Sequence, residues 1–287
     1  MYAFIDTLKG QYPLQLLCDV LSISRSCYYE WKKEKTYQPN PDSKRLEEQI
    51  VSVFKENRRR YGTRRILKAL NQEGVKTSVF KIRKTMLKNG LKAIQPRSFV
   101  PKTTDSRHPY LISPNVYKQR GFPGKINETW VGDITYIPMA DGSFRYLSVW
   151  MDLYSRKIVG WEEQDHMKES LVITSLKKAL KGRPIPEGMI IHSDRGGQYA
   201  GTKFRQLINK HKLIQSMSDA DNPYDNAHME SYFGRFKAEL MEGGAFESAE
   251  DSRTEIFEYI EMYYNPKRLH SSLGYLSPNV FEQKLAT

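Results

Sequence analysis

The chain has 287 residues, 39% hydrophobic and 12% aromatic, enough to bury a core in each of two or three small domains. It offers no run of about 18 apolar residues to span a membrane and no basic-then-apolar signal peptide at its N-terminus. Its two cysteines, Cys18 and Cys27, are too few for a disulfide framework or a four-cysteine zinc site, so a reduced, cytoplasmic protein is expected. A net charge of +12 calls for a polyanionic partner. The charge is also uneven: residues 1–125 carry 26 Lys/Arg against 10 Asp/Glu, whereas residues 126–287 carry 19 against 23. The first part suits phosphates, and the second concentrates carboxylates.

In chain order, residues 13–34 place Leu14, Leu17, Val20 and Leu21 at helical spacing. Ser22 to Ser24 then interrupt, and Ser24 stands where it caps a second helix running through Trp31. Residues 1–36 therefore read as an N-terminal helix–turn–helix, and 37–42, with Pro39 and Pro41, as a linker. Residues 43–92 read as a second helix–turn–helix-like unit. Its stripes are Leu46, Ile50, Val53 and Phe54, then Ile66, Leu67 and Leu70, then Val79, Ile82, Met86 and Leu87. Gly74 ends the middle helix, and Thr77 or Ser78 caps the last one. Between the first two lies RRRYGTRR, whose Arg58, Arg59, Arg60, Arg64 and Arg65 repel one another unless phosphates neutralise them. Lys81, Arg83 and Lys84 extend that DNA-binding set on the third helix. Residues 93–125 read as a basic linker.

The composition then turns β-branched and aromatic. Residues 129–137, 144–152 and 156–162 read as strands separated by turn signals at Asp141-Gly142 and Tyr154-Ser155. A helix over 168–181, a strand at 189–191, a helix over 201–212, a strand near 213–217 and a helix over 225–241 follow. Three antiparallel strands and then alternating helix and strand make a mixed α/β sheet flanked by helices, the order expected of a ribonuclease H-like fold. This core is assigned to 126–245 and a helical extension to 246–287.

Asp133 falls inside the first of these strands, Asp194 just past the fourth, and Glu230 in the helix that follows the fifth. Carboxylates are the hard oxygen ligands that Mg²⁺ prefers. Two such ions, about 4 Å apart, activate an attacking oxygen and stabilise a leaving one. Asn226, Glu230, Gly234 and Lys237 recur at helical intervals beside the apolar stripe of Met229, Tyr232, Phe233 and Phe236. Glu230 then faces a metal while Lys237 reaches a phosphate.

The interval between Asp194 and Glu230 is 35 residues, and Lys237 lies seven beyond Glu230. With HSDRGGQY and NPYDNAHMESYFGRFKAEL, this resembles the Asp-Asp-35-Glu signature of retroviral integrases and bacterial insertion-sequence transposases. YGTRRI, WVGDITYI, MDLYSRKIVGW and YNPKRLHSSLGYLSP are similar to blocks of the transposase branch, so the resemblance spans nearly the whole chain. It implies an integrase-like core in which Asp133, Asp194 and Glu230 hold two Mg²⁺ ions, with Mn²⁺ as a substitute. It also implies cleavage of element ends to free a 3′-hydroxyl and strand transfer by a copy-out, paste-in course. The implied partners are double-stranded DNA (terminal inverted repeats and target), a second copy of the chain and a protein from an upstream frame. The implied location is the bacterial nucleoid. Two departures stand out: the His/Cys zinc module of integrases is not found, since neither Cys18 nor Cys27 has a histidine within finger-like spacing, and Asp221 replaces the glycine common before the Asn-Pro-Tyr-Asp-Asn block.

Other residues carry milder expectations. Asp152 is expected to cap a turn, His192 to be a satisfied strand-end histidine, and Asp225 or Asn226 to cap the helix of Glu230. Trp130, Trp150 and Trp161 are expected in the core, and Arg268 and His270 either touch DNA or pack between helices. Two alternatives stay open: a tyrosine recombinase using His192-x-x-Arg195 with Tyr199, Tyr224 or Tyr232 as nucleophile, and a non-catalytic DNA-binding protein, either a regulator or a decayed transposase.

Overall fold

The computed structural model describes residues 1–33, 41–95, 109–219, 226–241 and 244–286. Most of the linker expected at 37–42, residues 96–108 of the one expected at 93–125, and Asp221, Tyr224 and Asp225 lie outside the described residues.

The chain opens with α1 (Tyr2–Leu8), α2 (Leu14–Val20) and α3 (Arg25–Lys32), packed around Ile5, Cys18 and Tyr28. The Ser24 hydroxyl accepts from the Cys27 amide at 3.2 Å and so starts α3 where the sequence predicts. Val20 departs from its stripe and stands 73% exposed. Next come α4 (Pro41–Glu56), α5 (Thr63–Gln72) and α6 (Val79–Lys88). Pro41 lies in the first turn of α4, where its fixed φ and missing N–H carry no penalty, so the helix begins inside the expected linker. Gly74, at φ +81°, makes the turn after α5, and the Ser78 hydroxyl accepts from the Lys81 amide to start α6. Of the four apolar positions predicted to face inward on α6, Ile82 and Met86 are buried while Val79 and Leu87 are exposed. Two side chains one turn apart suffice to cover this small core.

Part of the expected linker is ordered on the sheet. In α7 (Val116–Arg120), Asn115 caps the start by accepting from the Lys118 amide. The Tyr117 amide donates to the Ser216 hydroxyl at 3.0 Å, and the Tyr117 ring lies 5.1 Å from that of His192.

The core alternates β1 (Thr129–Pro138), β2 (Phe144–Asp152), β3 (Ile158–Gln164), α8 (Glu169–Lys181), β4 (Ile190–Ser193), α9 (Gly197–Ala200), α10 (Thr202–Lys210), β5 (Ile214–Met217) and α11 (Ala227–Leu240). The sheet runs β3-β2-β1-β4-β5, the first three antiparallel and β4 and β5 parallel to β1. This is the mixed five-stranded ribonuclease H-like sheet flanked by helices. The side-chain period of two sorts its faces. Trp130 and Trp150 join Val172, Leu176 and Phe204 on one side, while Val131, Ile137 and Val149 meet Met229, Phe233 and Phe236 of α11 on the other. β3 starts two residues later than predicted because Arg156 turns into the left-handed region at φ +60°.

After α11 the chain forms α12 (Ala249–Phe257), a π-helical stretch Glu258–Tyr264 and α13 (Pro278–Ala286). Ile256, Tyr259, Ile260 and Tyr264 join the core under α11, whereas Leu269, Tyr263 and Tyr275 pack on the cluster of α4, α5 and α6. The C-terminal region therefore bridges the catalytic core and the second helical unit.

Candidate active site

The strand register brings two carboxylates together. Trp130 pairs with Ile191 and Val131 with His192 in parallel strands. Continued two residues, that register sets Asp133 level with Asp194, on strands roughly 4.8 Å apart. Asp133 shares the parity of Val131 and Ile137, so it points to the face covered by α11. The site thus forms at the carboxyl end of β4, where open α/β sheets place their ligands.

Each carboxylate is held by local amides. The Ile134 amide donates to Asp133 Oδ1 at 2.8 Å, and the Gly196 amide to Asp194 Oδ1 at 3.0 Å. A Cβ on Gly196 would approach that same Oδ1 to 3.1 Å and Gln198 Oε1 to 2.9 Å, so a larger residue here would press on the side chains of Asp194 and Gln198. Arg195 Nε donates to the Ser218 carbonyl and ties the turn to the end of β5. Burial, then the nearby carboxylates of Asp194 and Glu230, push the Asp133 carboxyl well above the usual range, with Lys237 opposing. Lys237 is itself lowered by burial, an effect its attraction to Asp133 counters. All four side chains predicted for this centre therefore share one electrostatic neighbourhood. Glu230 lies on the exposed face of α11, and among the described residues no three His, Cys, Asp or Glu side chains stand close enough together to hold a metal ion. A Cβ on Gly234 would meet nothing within 4 Å, which leaves the surface beside Lys237 open.

The milder expectations separate. Asp152 caps its turn, accepting from the Tyr154 and Ser155 amides through Oδ1 and from the Asn127 amide through Oδ2. His192 is buried, with Nδ1 on the Ser216 hydroxyl and Nε2 on the Ser218 hydroxyl. Asn226 occupies the N-cap of α11, but its side chain makes no capping bond. Trp130 and Trp150 are core, while Trp161 is half-buried and donates to Glu261. Tyr199 and Tyr232 are buried, and burial raises both hydroxyls well above the usual phenol range. Neither presents a nucleophile, which removes two of the three tyrosines offered as alternatives for a recombinase.

The arginine-rich turn divides in two. Arg58, Arg59 and Arg64 are exposed, as are Lys81, Arg83 and Lys84 on α6. Arg60 is buried, its guanidinium 4.4 Å from the Tyr263 ring centre and 5.2 Å from that of Tyr259. Arg65 is half-buried and donates through Nε to the Leu269 carbonyl. Both are expected at phosphates from the sequence; both instead face the C-terminal region, because Tyr61 between them anchors inward by donating to the Lys267 carbonyl. Arg268 and His270 take the packing alternative: Arg268 forks onto Glu239, and the His270 ring meets that of Tyr264 at 4.9 Å.

Sequence reasoning missed Glu239. It falls three residues after Phe236 and seven after Tyr232, on the apolar stripe of α11, and a carboxylate in that register signals a buried partner. It also missed the pair of Arg156 and His228 Nδ1, 2.7 Å apart beside Phe122.

Comparison with known proteins shows the family. Residues 124–223 and 230–285 match models of an integrase core domain, and residues 41–99 match an HTH-like domain. The transposase InsF for insertion sequence IS3A of Escherichia coli (strain K12) is 34% identical over 285 residues, covering 99% of this chain and 98% of that protein. The transposase for insertion sequence element IS904 of Lactococcus lactis subsp. lactis (strain IL1403) is 40% identical over 239 residues, covering 83% and 93%. Among solved structures, the HTLV-2 integrase catalytic core domain aligns at a TM-score of 0.42 and 15% identity, over 54% of this chain and 95% of that one. From its sheet, its carboxylates and its end-to-end similarity to the transposases, the chain belongs to the insertion-sequence transposases with an integrase core.

Proposed function

We propose that this transposase cuts and joins DNA at a divalent-metal centre formed by Asp133, Asp194 and Glu230. The observation that supports it most is the β1–β4 register, which sets Asp133 and Asp194 side by side under the helix of Glu230. The mutual repulsion felt at Asp133 is what a dication would relieve, and the all-oxygen donor set fits Mg²⁺, with Mn²⁺ as substitute. Bound as a pair, the ions supply Lewis-acid activation of the attacking oxygen and charge stabilisation of the leaving one. Asp133 and Asp194 are the fixed ligands, held by their local amides; Glu230, on the exposed face, completes the site when DNA arrives. Lys237 holds a phosphate oxygen, and the open surface at Gly234 lets the backbone pass.

In the first reaction, water attacks a phosphodiester at the element end. A new phosphorus–oxygen bond forms, the bond to the 3′ oxygen breaks, and a 3′-hydroxyl is freed. In the second, that hydroxyl attacks another phosphodiester, releases its proton and displaces a second 3′ oxygen, in a copy-out, paste-in course. Phosphates of the terminal inverted repeats and target are met by Arg58, Arg59, Arg64, Lys81, Arg83 and Lys84. Holding two ends together requires a homodimer or larger assembly, aided by a protein from an upstream frame. The division into helix–turn–helix units at 1–36 and 43–92, a core at 126–245 and an extension at 246–287 belongs to the same proposal, and so does action in the cytoplasm at the nucleoid. The test is incubation of purified protein with labelled element ends: Mg²⁺-dependent nicks bearing 3′-hydroxyls, with no DNA left attached to protein after denaturation, are expected. A covalent protein–DNA adduct, or nicking that survives chelation, would contradict it.

A further inference from the structure

The helix that carries Glu230 is gripped at its other end by residues from two distant parts of the chain. Glu239 lies nine residues beyond Glu230, about 13 Å along α11 and on its opposite face. Arg268 Nε and Nη2 donate to the two Glu239 carboxylate oxygens at 3.0 and 2.7 Å, and the Tyr259 hydroxyl adds a bond at 2.9 Å. The Arg268 and Glu239 side chains are 3% and 5% exposed. Arg60, from the arginine-rich turn, donates through Nε to the Glu239 main-chain carbonyl at 3.3 Å, at the negative end of the helix. Its guanidinium is held between Tyr259 and Tyr263.

Buried ion pairs are weak sources of net stability, because desolvation consumes most of the attraction. A fork on the side chain and a cation on the carbonyl of one residue do, however, fix where a helix end lies. Arg60 is also chained to surface groups built to meet phosphate: Arg58 and Arg59, its two preceding neighbours, are exposed and both in the left-handed region, at φ +47° and +63°. A movement of this turn on a DNA backbone therefore reaches α11 directly.

We propose that Arg60, Arg268 and Glu239 form a positioning clamp that couples DNA engagement by the arginine turn to the placement of Glu230. The inference rests on Glu230 belonging to the metal site. Arg60 then acts through the helix rather than at a phosphate, and coupling is reciprocal: DNA tightens metal binding, and metal tightens DNA binding.

The test uses the full chain with Arg60→Ala and Arg60→Lys, the second retaining the cation without the planar fork. Mn²⁺ binding is followed by electron paramagnetic resonance, with and without a pre-cleaved duplex of the element end, and amide exchange is read over residues 227–240. In the parent, DNA is expected to tighten Mn²⁺ binding roughly tenfold and to slow exchange around Glu230. In both variants DNA should bind metal-free protein within about twofold of the parent, as expected for a side chain that meets no phosphate, while the mutual tightening of DNA and Mn²⁺ falls to about twofold or less. Full tightening in either folded variant, or DNA binding by metal-free protein weakened as it is when a phosphate-binding arginine is removed, would overturn the clamp; should Arg60→Ala unfold, Arg60→Lys decides. Glu230→Gln separates the two claims. If that variant binds Mn²⁺ on DNA as the parent does, the metal reading of Glu230 has failed; if it binds weakly while the Arg60 variants keep full tightening, only the clamp has failed.

Discussion

At the scale of single residues, the site trades stability for function. Asp133 is half-buried among like charges, and its carboxyl is raised by burial and then by Asp194 and Glu230. For an acid whose folded pKa exceeds its unfolded one, stability is lost as pH rises through the unfolded pKa, so at neutral pH the carboxylate burdens the metal-free fold. Asp133→Asn is therefore expected to raise the Tm of metal-free protein by about 2–4 °C, on the order of 1 kcal/mol. Mg²⁺ should raise the Tm of the parent but not of the variant; a lower Tm for the variant without metal would contradict this account. His270 gives the pH dependence. Burial, then Arg268 and its neighbouring arginines, lowers it to about 2. The unfolded chain takes up the proton below about 6.5 while the folded chain refuses it, so stability falls as pH drops through 6.5 and continues to fall toward the folded value. His270→Gln should flatten the slope of Tm against pH between about 7 and 5, and an unchanged slope would assign the acid sensitivity elsewhere.

At the scale of elements, the sheet depends on close approaches that only glycine permits. A Cβ on Gly160 in β3 would lie 2.6 Å from the Ser175 carbonyl oxygen and 2.8 Å from the Ala179 amide nitrogen, both backbone atoms of α8. Gly160→Ala is expected to destabilise the core by about 1–3 kcal/mol, read as a lower urea midpoint at unchanged m; an unshifted midpoint would mean that α8 yields freely. Much of this level is legible in the sequence. The strands of Trp130, Trp150 and Ile191 announce themselves by β-branched and aromatic runs, and Ser24 and Ser78 mark helix starts by a short-range bond that their spacing displays. The proposed triad is read from its spacing and its flanking blocks, not from chemistry alone. What cannot be read is long-range: that Arg60 and Arg65 turn inward while Arg58, Arg59 and Arg64 turn outward depends on Tyr61 finding residues 267–269, roughly two hundred positions away. Val20 and Leu87 fit their helical stripes but stay exposed, because periodicity gives a face and not the width of the partner that covers it.

At the scale of the whole molecule, the basic front of the chain is joined to the acidic catalytic core through the C-terminal region, whose tyrosines contact both. Arg58, Arg59 and Arg64 are the exposed arginines of the turn and the ones proposed to meet DNA. Arg58 pairs loosely with Glu255 and Glu258 at 4.0 and 3.7 Å, exposed pairings worth little that a phosphate would displace. Replacing Arg58, Arg59 and Arg64 by alanine should lower the slope of log affinity against log salt by about 0.9 for each phosphate no longer neutralised. The same change at Arg60 should leave the slope unaltered, and equal effects at all four would mean that the whole turn meets DNA.

The central claim is that Asp133, Asp194 and Glu230 together hold the metal that cuts DNA. The most direct measurement compares Asp133→Asn, Asp194→Asn and Glu230→Gln with the parent on labelled element ends, scoring end binding and Mg²⁺-dependent cleavage in the same samples. All three variants are expected to bind the ends as the parent does while cleavage falls by at least about 10³-fold, as expected when metal-assisted stabilisation of the transition state is lost. Cleavage at the parent's rate by any one of the three would contradict it.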